Sequence, residues 1–282
     1  MAKTFLMTIY KSSRWCKLLI LILIILIFFI GANSIHHQEG FVNQTQKFKF
    51  IEGPSLYDSF YTAYYDDVIT DKIKNEYEVG EIINKTGPTN ESIVLDIGSG
   101  TGEIVNIFNE KNILAVGLDK SPSMVETARS KFPEREFNVG NITNIMLYPP
   151  HSFSHITCLN NTIYEIKDQN HLIKNCYEWL MPGGYLILHL SDTFSHLNTS
   201  KHFSKFTYKS NVEHLNNEMM LFNETFKDNT NKVRKQQRRM YKHDNEKIIK
   251  NTQEEGFILH GQFNLSPVNK KNENIYLFYK PE

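Results

Sequence analysis

The chain has 282 residues, of which 40% are hydrophobic and 22% are charged, and its formal net charge is zero. These values are ordinary for a globular protein, so they exclude a wholly disordered chain and fit one domain of about 230 residues plus an appendage. The balanced charge gives no reason to expect nucleic acid or an acidic polymer as a partner. Three isolated cysteines exclude a disulfide framework.

The most apolar part of the chain lies near its N-terminus. Residues 18–30 are thirteen consecutive apolar residues, slightly fewer than the ~17–25 that a transmembrane helix needs. Lys17 and Trp15 can reach the membrane interface and make up the difference. We therefore expect a single-pass membrane anchor at residues 18–32, after a basic segment of residues 1–17. A cleaved signal peptide and a buried helix are the alternatives. The basic residues place the N-terminus in the cytosol by the positive-inside rule, whereas the side of the membrane that the domain occupies stays open.

A polar stretch and an aromatic stretch precede the first predicted strand. Residues 33–54 have no hydrophobic period and are expected to be a linker, so the globular domain comprises residues 55–282. Residues 56–67 contain five aromatic side chains and lead to a helix predicted at about residues 71–84. The rings could pack the helix onto a sheet or contact a positively charged ligand, and the sequence favours neither. The rings of Tyr57, Tyr61 and Tyr65 are the candidates for contact with such a ligand.

The glycine-rich segment at residues 94–102 reads V-L-D-I-G-S-G-T-G. An apolar strand that ends in such a turn and passes into a helix, here residues 103–109, exposes backbone N–H groups to a nucleotide-like ligand. The spacing G-x-G-x-G differs from the G-x-G-x-x-G of dinucleotide-binding proteins. Asp96 would repel a pyrophosphate but could hold an ammonium group. The segment therefore predicts a nucleotide-like ligand that carries a positive charge.

Two further predicted strands follow, and a polar residue stands at or just after the end of each. Residues 112–118 form an apolar run that ends at Asp119, 23 residues after Asp96, near the ~20 expected for an acid that binds ribose hydroxyls. A helix then begins with Ser121 as its N-cap and Pro122 at its first position. The third strand, residues 136–139, ends just before Asn141.

The central strand is predicted at residues 153–159, and it ends in Asn160 followed by Tyr164 and Glu165. Its nearly continuous apolar character is typical of a parallel strand covered on both faces. A helix is predicted at residues 168–180 and a fifth strand at residues 185–190. Because ligands bind at the carboxyl ends of parallel strands, the polar ends of these strands are expected to form one site.

With these signals in this order, the chain resembles the class I S-adenosylmethionine-dependent methyltransferases. The resemblance implies a Rossmann-like α/β fold with a seven-stranded sheet in the order 3-2-1-4-5-7-6 and helices on both faces. It also implies S-adenosylmethionine as the cofactor and no metal. The cofactor-binding residues that it implies are Tyr65, Asp96, Gly98, Ser99, Gly100, Gly102, Asp119, Lys120, Met124, Asn141, Ile142 and Asn160. The candidates for a catalytic role are Asn160, Tyr164 and Glu165, and His189 is expected to be a satisfied interior histidine.

The region after the fifth strand departs from a minimal fold of this family. Residues 193–243 are predicted to form a β-rich insertion of three antiparallel strands, at about residues 206–212, 220–226 and 233–241. At this place in the chain the insertion would lie over the carboxyl edge as a lid. A last helix at residues 245–255 and two strands at residues 257–263 and 274–279 complete the predicted domain.

The sequence leaves the methyl acceptor open among a small molecule, a lipid and a protein. Nucleic acid is not expected, because Asn160 is not followed by the Pro-Pro-Tyr of enzymes that methylate nucleic-acid amino groups, and a monomer is expected. A nicotinamide-dependent oxidoreductase is an alternative that Asp96 and the glycine spacing oppose. A membrane-tethered binding protein with a degenerate cofactor site is the other alternative, since Asn141 stands where the family has an Asp that binds the adenine.

Overall fold

The computed structural model describes residue 15, residues 21 and 22, and residues 48–194, 197–216, 218–241 and 244–282. The chain divides into two units, residues 1–45 and 46–282. In the first unit Trp15, Leu21 and Ile22 are helical and exposed. The rest of the predicted anchor lies outside the described residues. Within the described part of the chain, no helix combines the length and the apolar character needed to cross a membrane.

The second unit contains two sheets and six α-helices among its described residues. The strands are β1 (Phe48–Glu52), β2 (Ile93–Ile97), β3 (Leu114–Asp119), β4 (Glu136–Val139), β5 (Phe153–Cys158), β6 (Leu180–Ser191), β7 (Thr199–His202), β8 (Phe206–His214), β9 (Met219–Asp228), β10 (Val233–Tyr241), β11 (Ile258–Leu265) and β12 (Lys270–Tyr279). The helices are α1 (Ser59–Val68), α2 (Lys72–Thr86), α3 (Glu103–Glu110), α4 (Pro122–Lys131), α5 (Gln169–Trp179) and α6 (Asn245–Glu254). Short 3-10 helices lie at Gly53–Leu56, Ile145–Leu147, Thr162–Glu165 and Ser266–Val268.

The larger sheet has seven strands in the order β11-β12-β6-β5-β2-β3-β4. The five strands from β6 to β4 are parallel, and β12 is antiparallel to both β6 and β11. Numbered by chain order within the sheet and read from β4, the strands run 3-2-1-4-5-7-6, so the predicted order is confirmed.

Helices cover both faces of this sheet because its strands are apolar on both faces. On β6, Leu186 and Leu188 join one buried cluster with α5 and α6, while Ile187 between them joins a second cluster with α2, α3 and α4. Side chains alternate along a strand, so one apolar run supplies both cores. The predicted helix at residues 71–84 is confirmed as α2, and its N-cap Asp71 accepts a hydrogen bond from the N–H of Lys74 at 3.1 Å.

The fifth strand of the sheet is longer than the sequence predicts. The prediction begins it at residue 185, whereas β6 begins at Leu180. The Pro-Gly-Gly stretch is held in the sheet by the end of the chain, because the N–H of Gly183 donates to the carbonyl of Lys280 and the N–H of Lys280 donates to the carbonyl of Gly184. Local turn chemistry cannot reveal that partner, which lies almost 100 residues further along the chain.

The smaller sheet has five strands in the order β1-β10-β9-β8-β7. Strands β8, β9 and β10 confirm the three predicted in the insertion, and β7 is an additional strand. Strand β1 corrects the predicted linker of residues 33–54, because its residues pair in parallel with β10 in the register Phe48 to Val233. The linker prediction therefore fails at residues 48–52, where the pairing partner is distant in sequence.

The aromatic segment before α2 fixes the smaller sheet to the rest of the domain. It forms helix α1, which the sequence did not predict, and the ring of Tyr64 packs edge-on against Phe206 at 4.6 Å between centroids. The hydroxyl of Tyr61 donates to the buried carboxylate of Glu224 at 2.8 Å, and that of Tyr208 donates to it at 2.7 Å. These contacts hold the insertion over the carboxyl edge of the larger sheet.

Candidate active site

The glycine-rich turn after β2 is tied to the neighbouring strand β3. The N–H of Gly98 donates to the carbonyl of Leu118 at 2.8 Å, and the N–H of Gly100 donates to the carboxylate of Asp119 at 3.0 Å. The three glycines of the motif have φ values of 71°, 53° and 89°, in the left-handed region that L side chains rarely adopt. The turn therefore depends on its glycines for its backbone shape.

The three glycines differ in what a side chain would meet. At Gly98 an added Cβ would clash with Cγ2 of Thr162, and at Gly102 it would lie 2.6 Å from Cζ of the buried ring of Phe137. At Gly100 it would lie at an ordinary contact distance of 3.7 Å from the ring of Tyr65. Gly98 and Gly100 line the cavity described below, whereas Gly102 packs against the core and does not reach it.

A cavity of about 780 Å³ opens at the carboxyl edge of the larger sheet. Its lining comes from the ends of β2, β3, β4 and β5, from the α1–α2 region and from the insertion. Ten of the residues predicted for the site line it: Tyr65, Gly98, Gly100, Asp119, Lys120, Met124, Asn141, Ile142, Asn160 and Glu165. Asp96 and Ser99 line a smaller adjoining recess, and Gly98, Asn160 and Tyr65 border both spaces.

Asp119 lies where the end of β3 meets the glycine turn. One carboxylate oxygen accepts the N–H of Gly100 at 3.0 Å, and the other accepts the N–H of Ser121 at 2.8 Å. Burial raises the pKa of Asp119, and these two hydrogen bonds oppose the shift. A carboxylate has about four acceptor positions, so two stay available for the hydroxyls of a ribose.

Asp96 is buried at the floor of the recess, with 3% of its surface exposed. Burial raises its pKa to about 7, and the hydroxyl of Thr157, which donates to it at 2.7 Å, opposes that shift. In the same recess the hydroxyl of Ser99 is buried without a hydrogen-bond partner among the described residues. A buried acid beside an unsatisfied hydroxyl fits the amino-acid end of S-adenosylmethionine, whose ammonium would pair with Asp96.

The binding of S-adenosylhomocysteine is predicted to weaken as the pH falls below 7. Since the pKa of Asp96 is raised to about 7, this acid loses its charge below that pH and can no longer attract the ligand's ammonium group. We expect the dissociation constant to be constant near pH 8 and to rise by about tenfold for each pH unit below 7. Calorimetric titration between pH 5.5 and 8 measures it. A slope that persists in Asp96→Asn would assign the effect to Asp119 instead, and equal affinities across this range would contradict the prediction.

The adenine end of the cavity contains the residue that departs from the family pattern. Asn141 follows β4 and is exposed, and its side-chain oxygen accepts the N–H of Thr143 at 3.2 Å. That oxygen still has a second acceptor position for an amino group. Ile142 and Met124 line the same space and are buried, so they can contact the faces of an adenine ring.

The three candidates for a catalytic role are placed differently. Asn160 borders both the cavity and the recess, and it accepts a hydrogen bond from the ammonium group of Lys74. Glu165 lines the cavity in a clasp with Tyr57, whose hydroxyl donates to it, and with Arg238 at 3.2 Å. Tyr164 does not reach the cavity.

The position of Tyr164 shows a packing role. Its ring is fully buried, its hydroxyl oxygen accepts the N–H of Ser191 at 2.8 Å, and its hydroxyl lies 2.8 Å from the side-chain oxygen of Asn245. The contacts hold the start of α6 against the end of β6. A catalytic role for Tyr164 has no support from this geometry, because the side chain faces the core.

The three aromatic candidates lie in two different places. Tyr57 and Tyr65 line the cavity, whereas Tyr61 is buried against the insertion sheet. Burial raises the pKa of all three hydroxyls, so they act as neutral donors at ordinary pH. The aromatic segment therefore has both roles that the sequence left open: Tyr61 packs against the insertion sheet, and Tyr57 and Tyr65 line the cavity.

Sequence reasoning missed several residues of the site. They are Lys74, Thr162, Lys201, Arg238, Lys270 and Glu273, all of which line the cavity. Lys74 looks like half of a surface ion pair, because Glu78 follows it four residues later on the same helix. Only its 5% exposure shows that it faces inward. His189 is interior as expected. The expectation that it is satisfied is wrong, because neither ring nitrogen has a hydrogen-bond partner among the described residues, and the ring lies between two carboxylates that the sequence did not indicate.

Comparisons with known proteins agree with this geometry. Residues 94–184 match the family described as a methyltransferase domain. A dTDP-4-amino-2,3,4,6-tetradeoxy-D-glucose N,N-dimethyltransferase from Saccharopolyspora spinosa is 28% identical over 145 residues, which is 49% of this chain and 57% of that protein. The chain spans about half the length of the curated relatives that it matches.

The fold is shared with solved methyltransferase structures. One from Clostridium acetobutylicum, described as an S-adenosylmethionine-dependent methyltransferase, aligns with a TM-score of 0.64 at 18% identity and covers 77% of this chain and 96% of its own. An amino pentose methyltransferase from Micromonospora echinaspora, solved with its bound cofactor, aligns with a TM-score of 0.60 at 16% identity and covers 78% of this chain and 96% of its own. At these identities the likeness shows the fold.

Proposed function

We infer that a chain with this methyltransferase domain, this sheet order and this cavity is an S-adenosylmethionine-dependent methyltransferase. One observation carries the inference: the turn at Gly98 and Gly100 lies between two acids, Asp96 in the recess and Asp119 on the cavity wall. The first acid suits an ammonium group and the second suits a ribose. Between them Gly98 and Gly100 bring the backbone to the cavity without a side chain. A binding protein with a degenerate cofactor site would not need both acids at these positions.

We propose that the methyl acceptor is a small molecule. The cavity volume of about 780 Å³ falls within the ~300–1,000 Å³ typical of small-molecule sites. Beyond the cofactor end, the lining is formed by the insertion sheet, with Tyr208, Phe222 and Met240 among its residues. A covered cavity of this size suits a ring-sized acceptor better than a polymer.

We propose further that the acceptor group is an amine on a sugar-like ring. Two similar proteins support this class by what their names say of them: one methylates a dTDP-linked amino sugar and the other is an amino pentose methyltransferase. A mixed lining of carboxylates, lysines and aromatic rings suits a polar ring with a charged substituent. These names describe the two similar proteins. For this chain the amine acceptor is our proposal.

S-adenosylmethionine supplies an electrophilic methyl group when it is bound. The protein's task is to align the acceptor nitrogen with that methyl carbon and to exclude water from the contact. Asp96 and Asp119 would fix the two ends of the cofactor, and the ring of Tyr65 beside Gly100 is placed to cover its centre. The clasp of Tyr57, Glu165 and Arg238 closes the cavity between the insertion and the sheet.

Methyl transfer to three probes tests this proposal. The full chain is incubated with methyl-labelled S-adenosylmethionine and either dTDP-4-amino-2,3,4,6-tetradeoxy-D-glucose, catechol or citrate, which present an amine, hydroxyls and carboxylates. We expect label in the amine probe and at most one-hundredth of that rate in the other two. Label only in catechol or citrate would contradict the amine class, and a failure of S-adenosylhomocysteine to bind would contradict the enzyme itself.

A further inference from the structure

Four ionisable side chains are buried together beneath the cavity. They are Lys74 and Glu78 on α2, His189 on β6 and Glu273 on β12, and none is more than 5% exposed. His189 lies at the centre: its Nε2 is 3.0 Å from a carboxylate oxygen of Glu273 and its Nδ1 is 3.4 Å from one of Glu78. We call these four residues the buried cluster.

The buried cluster reaches the cavity at two points. Glu273 lines the cavity directly, and Lys74 does so beside Asn160, to which it donates a hydrogen bond. Lys74 also contacts Glu78 at 3.0 Å. The cluster therefore forms a continuous set of polar contacts from Asn160, at the border of the cofactor recess, through His189 to the carboxylate of Glu273.

Stability alone is a poor reason for such a cluster. Taking a charged group out of water is energetically unfavourable, and apolar side chains of similar size often stabilise a fold at least as well. A structural bridge would also align its hydrogen bonds, yet neither ring nitrogen of His189 has a partner of hydrogen-bond geometry among the described residues. Buried ionisable groups beside a cavity are more typical of functional sites.

The arrangement suits the handling of protons. Each ring nitrogen of His189 lies near a carboxylate oxygen, so the imidazole can donate towards both only when it carries two protons. A proton that enters at Glu273 can therefore be shared along a row of a carboxylate, an imidazole and a second carboxylate. A histidine between two carboxylates can therefore relay a proton from one carboxylate to the other, which is a typical arrangement for general base catalysis.

We propose that Glu273, positioned by His189 and Glu78, is the base that takes the proton from the ammonium form of the methyl acceptor. The inference rests on the proposed function and names the proton acceptor that its amine class requires. Glu273 is the proposed catalytic residue because it lines the cavity that would hold the acceptor, whereas His189 and Glu78 are positioning residues.

The proton and electron balance of the step is simple. An ammonium nitrogen gives one proton to the Glu273 carboxylate and becomes a neutral amine with a free electron pair. That pair forms the new nitrogen–carbon bond while the carbon–sulfur bond breaks and its pair stays on sulfur. The transferred proton neutralises the Glu273 carboxylate, and the positive charge of the sulfonium passes to the methylated nitrogen. The buried cluster releases the proton to solvent after the products leave.

Other ionisable groups line the cavity together with Glu273 or interact with it electrostatically. Lys270 lies three residues before it on β12 and is held by Asp71 at 3.1 Å. Lys201 from β7 donates to the carbonyl of Val68 at 2.9 Å, and burial and the charge of Lys270 lower its pKa. The charge of Glu273 contributes to the raised pKa of Tyr164. Lys74, Glu78 and His189 of the buried cluster add to these groups.

The variants Glu273→Gln and His189→Gln test the proposal with the same dTDP-linked amine probe. For Glu273→Gln we expect unchanged binding of S-adenosylhomocysteine, kcat reduced at least about 100-fold at pH 7 and KM changed less than about fivefold. Its activity should recover towards pH 10, where the amine loses its proton to solvent. His189→Gln should keep substantial activity but shift the pH profile. The control is Glu224→Gln, a buried carboxylate outside the cavity lining, which should keep the wild-type shape of the profile.

The possible outcomes distinguish a failure of this inference from a failure of the proposed function. If the wild type methylates the amine and Glu273→Gln keeps its kcat and pH profile, the inference is wrong and the proposed function stands. Transfer to catechol or citrate but not to the amine also overturns it, because the acceptor then carries no ammonium proton. If Glu273→Gln does not fold, an unshifted profile in His189→Gln overturns the proposal. A wild type that binds no S-adenosylhomocysteine refutes the proposed function and this inference together.

Discussion

Replacing Asp119 by Ala is expected to weaken the binding of S-adenosylhomocysteine at least about 100-fold. The carboxylate oxygens are placed to accept the ribose hydroxyls, and each hydrogen bond to a charged group contributes about 1.5–3 kcal/mol. Loss of two such bonds is therefore enough for a hundredfold change, which corresponds to about 2.7 kcal/mol. The substitution also removes the acceptor of the Gly100 and Ser121 N–H groups, so the turn loses its fixed shape. Calorimetric titration of the full chain measures the change.

A matched control separates this effect from a general loss of charge near the site. Glu126 lies on α4, seven residues after Asp119, and is exposed and outside the cavity lining. Glu126→Ala should bind within about twofold of the wild type, since an exposed charge at this distance is screened by salt. If Asp119→Ala binds within threefold of the wild type, Asp119 does not hold the ribose and the orientation of the cofactor proposed here is wrong.

Replacing Gly102 by Ala is expected to destabilise the fold by about 2–5 kcal/mol. The added Cβ would lie 2.6 and 2.7 Å from two ring atoms of Phe137, and overpacking of a core costs about 1–3 kcal/mol. The φ of 89° adds about 1–2 kcal/mol, because an L side chain in the left-handed region clashes with its own backbone. Chemical denaturation of the ligand-free protein measures the free energy of unfolding.

The contrast with Gly100→Ala shows why the two glycines are needed. At Gly100 the added Cβ makes only an ordinary contact with Tyr65, so the cost to folding is about 1–2 kcal/mol from backbone strain alone. That Cβ nevertheless enters the cavity, and binding of S-adenosylhomocysteine should fall about tenfold or more. Equal losses of stability in the two variants would contradict this division between a packing glycine and a ligand-facing glycine.

Much of the larger sheet could be predicted from local patterns. The strand that ends at Asp96 and the glycine turn, the helix that begins at Ser121 and the order of the seven strands all agree with the sequence analysis. These features depend on neighbours within a few residues: alternation on a strand, an N-cap oxygen at a helix start and positive φ at a glycine. The position of polar residues at strand ends then indicates one common edge.

The site itself could be predicted only in part. Asp119, Gly100 and Met124 follow from motif spacing and they line the cavity. Tyr164 was expected at the same edge because it follows the central strand, as Asn160 and Glu165 do, but the 3-10 helix at Thr162–Glu165 turns its ring into the core. A short helix of this kind depends on what fills the space beneath it, so residue order alone did not show which of Tyr164 and Glu165 would face the cavity.

The sequence by itself determined the elements whose cause is local: the glycine turn, the capped helices and the apolar strands that require a covered, mostly parallel sheet. Only the tertiary structure decided the contacts between distant segments. It placed residues 48–52 beside β10, Arg238 against Glu165 and Tyr57, and His189 between Glu78 and Glu273. The physical reason is that backbone geometry and capping act over one or two turns of chain, whereas the charge, burial and partner of a side chain depend on whichever segment packs opposite it.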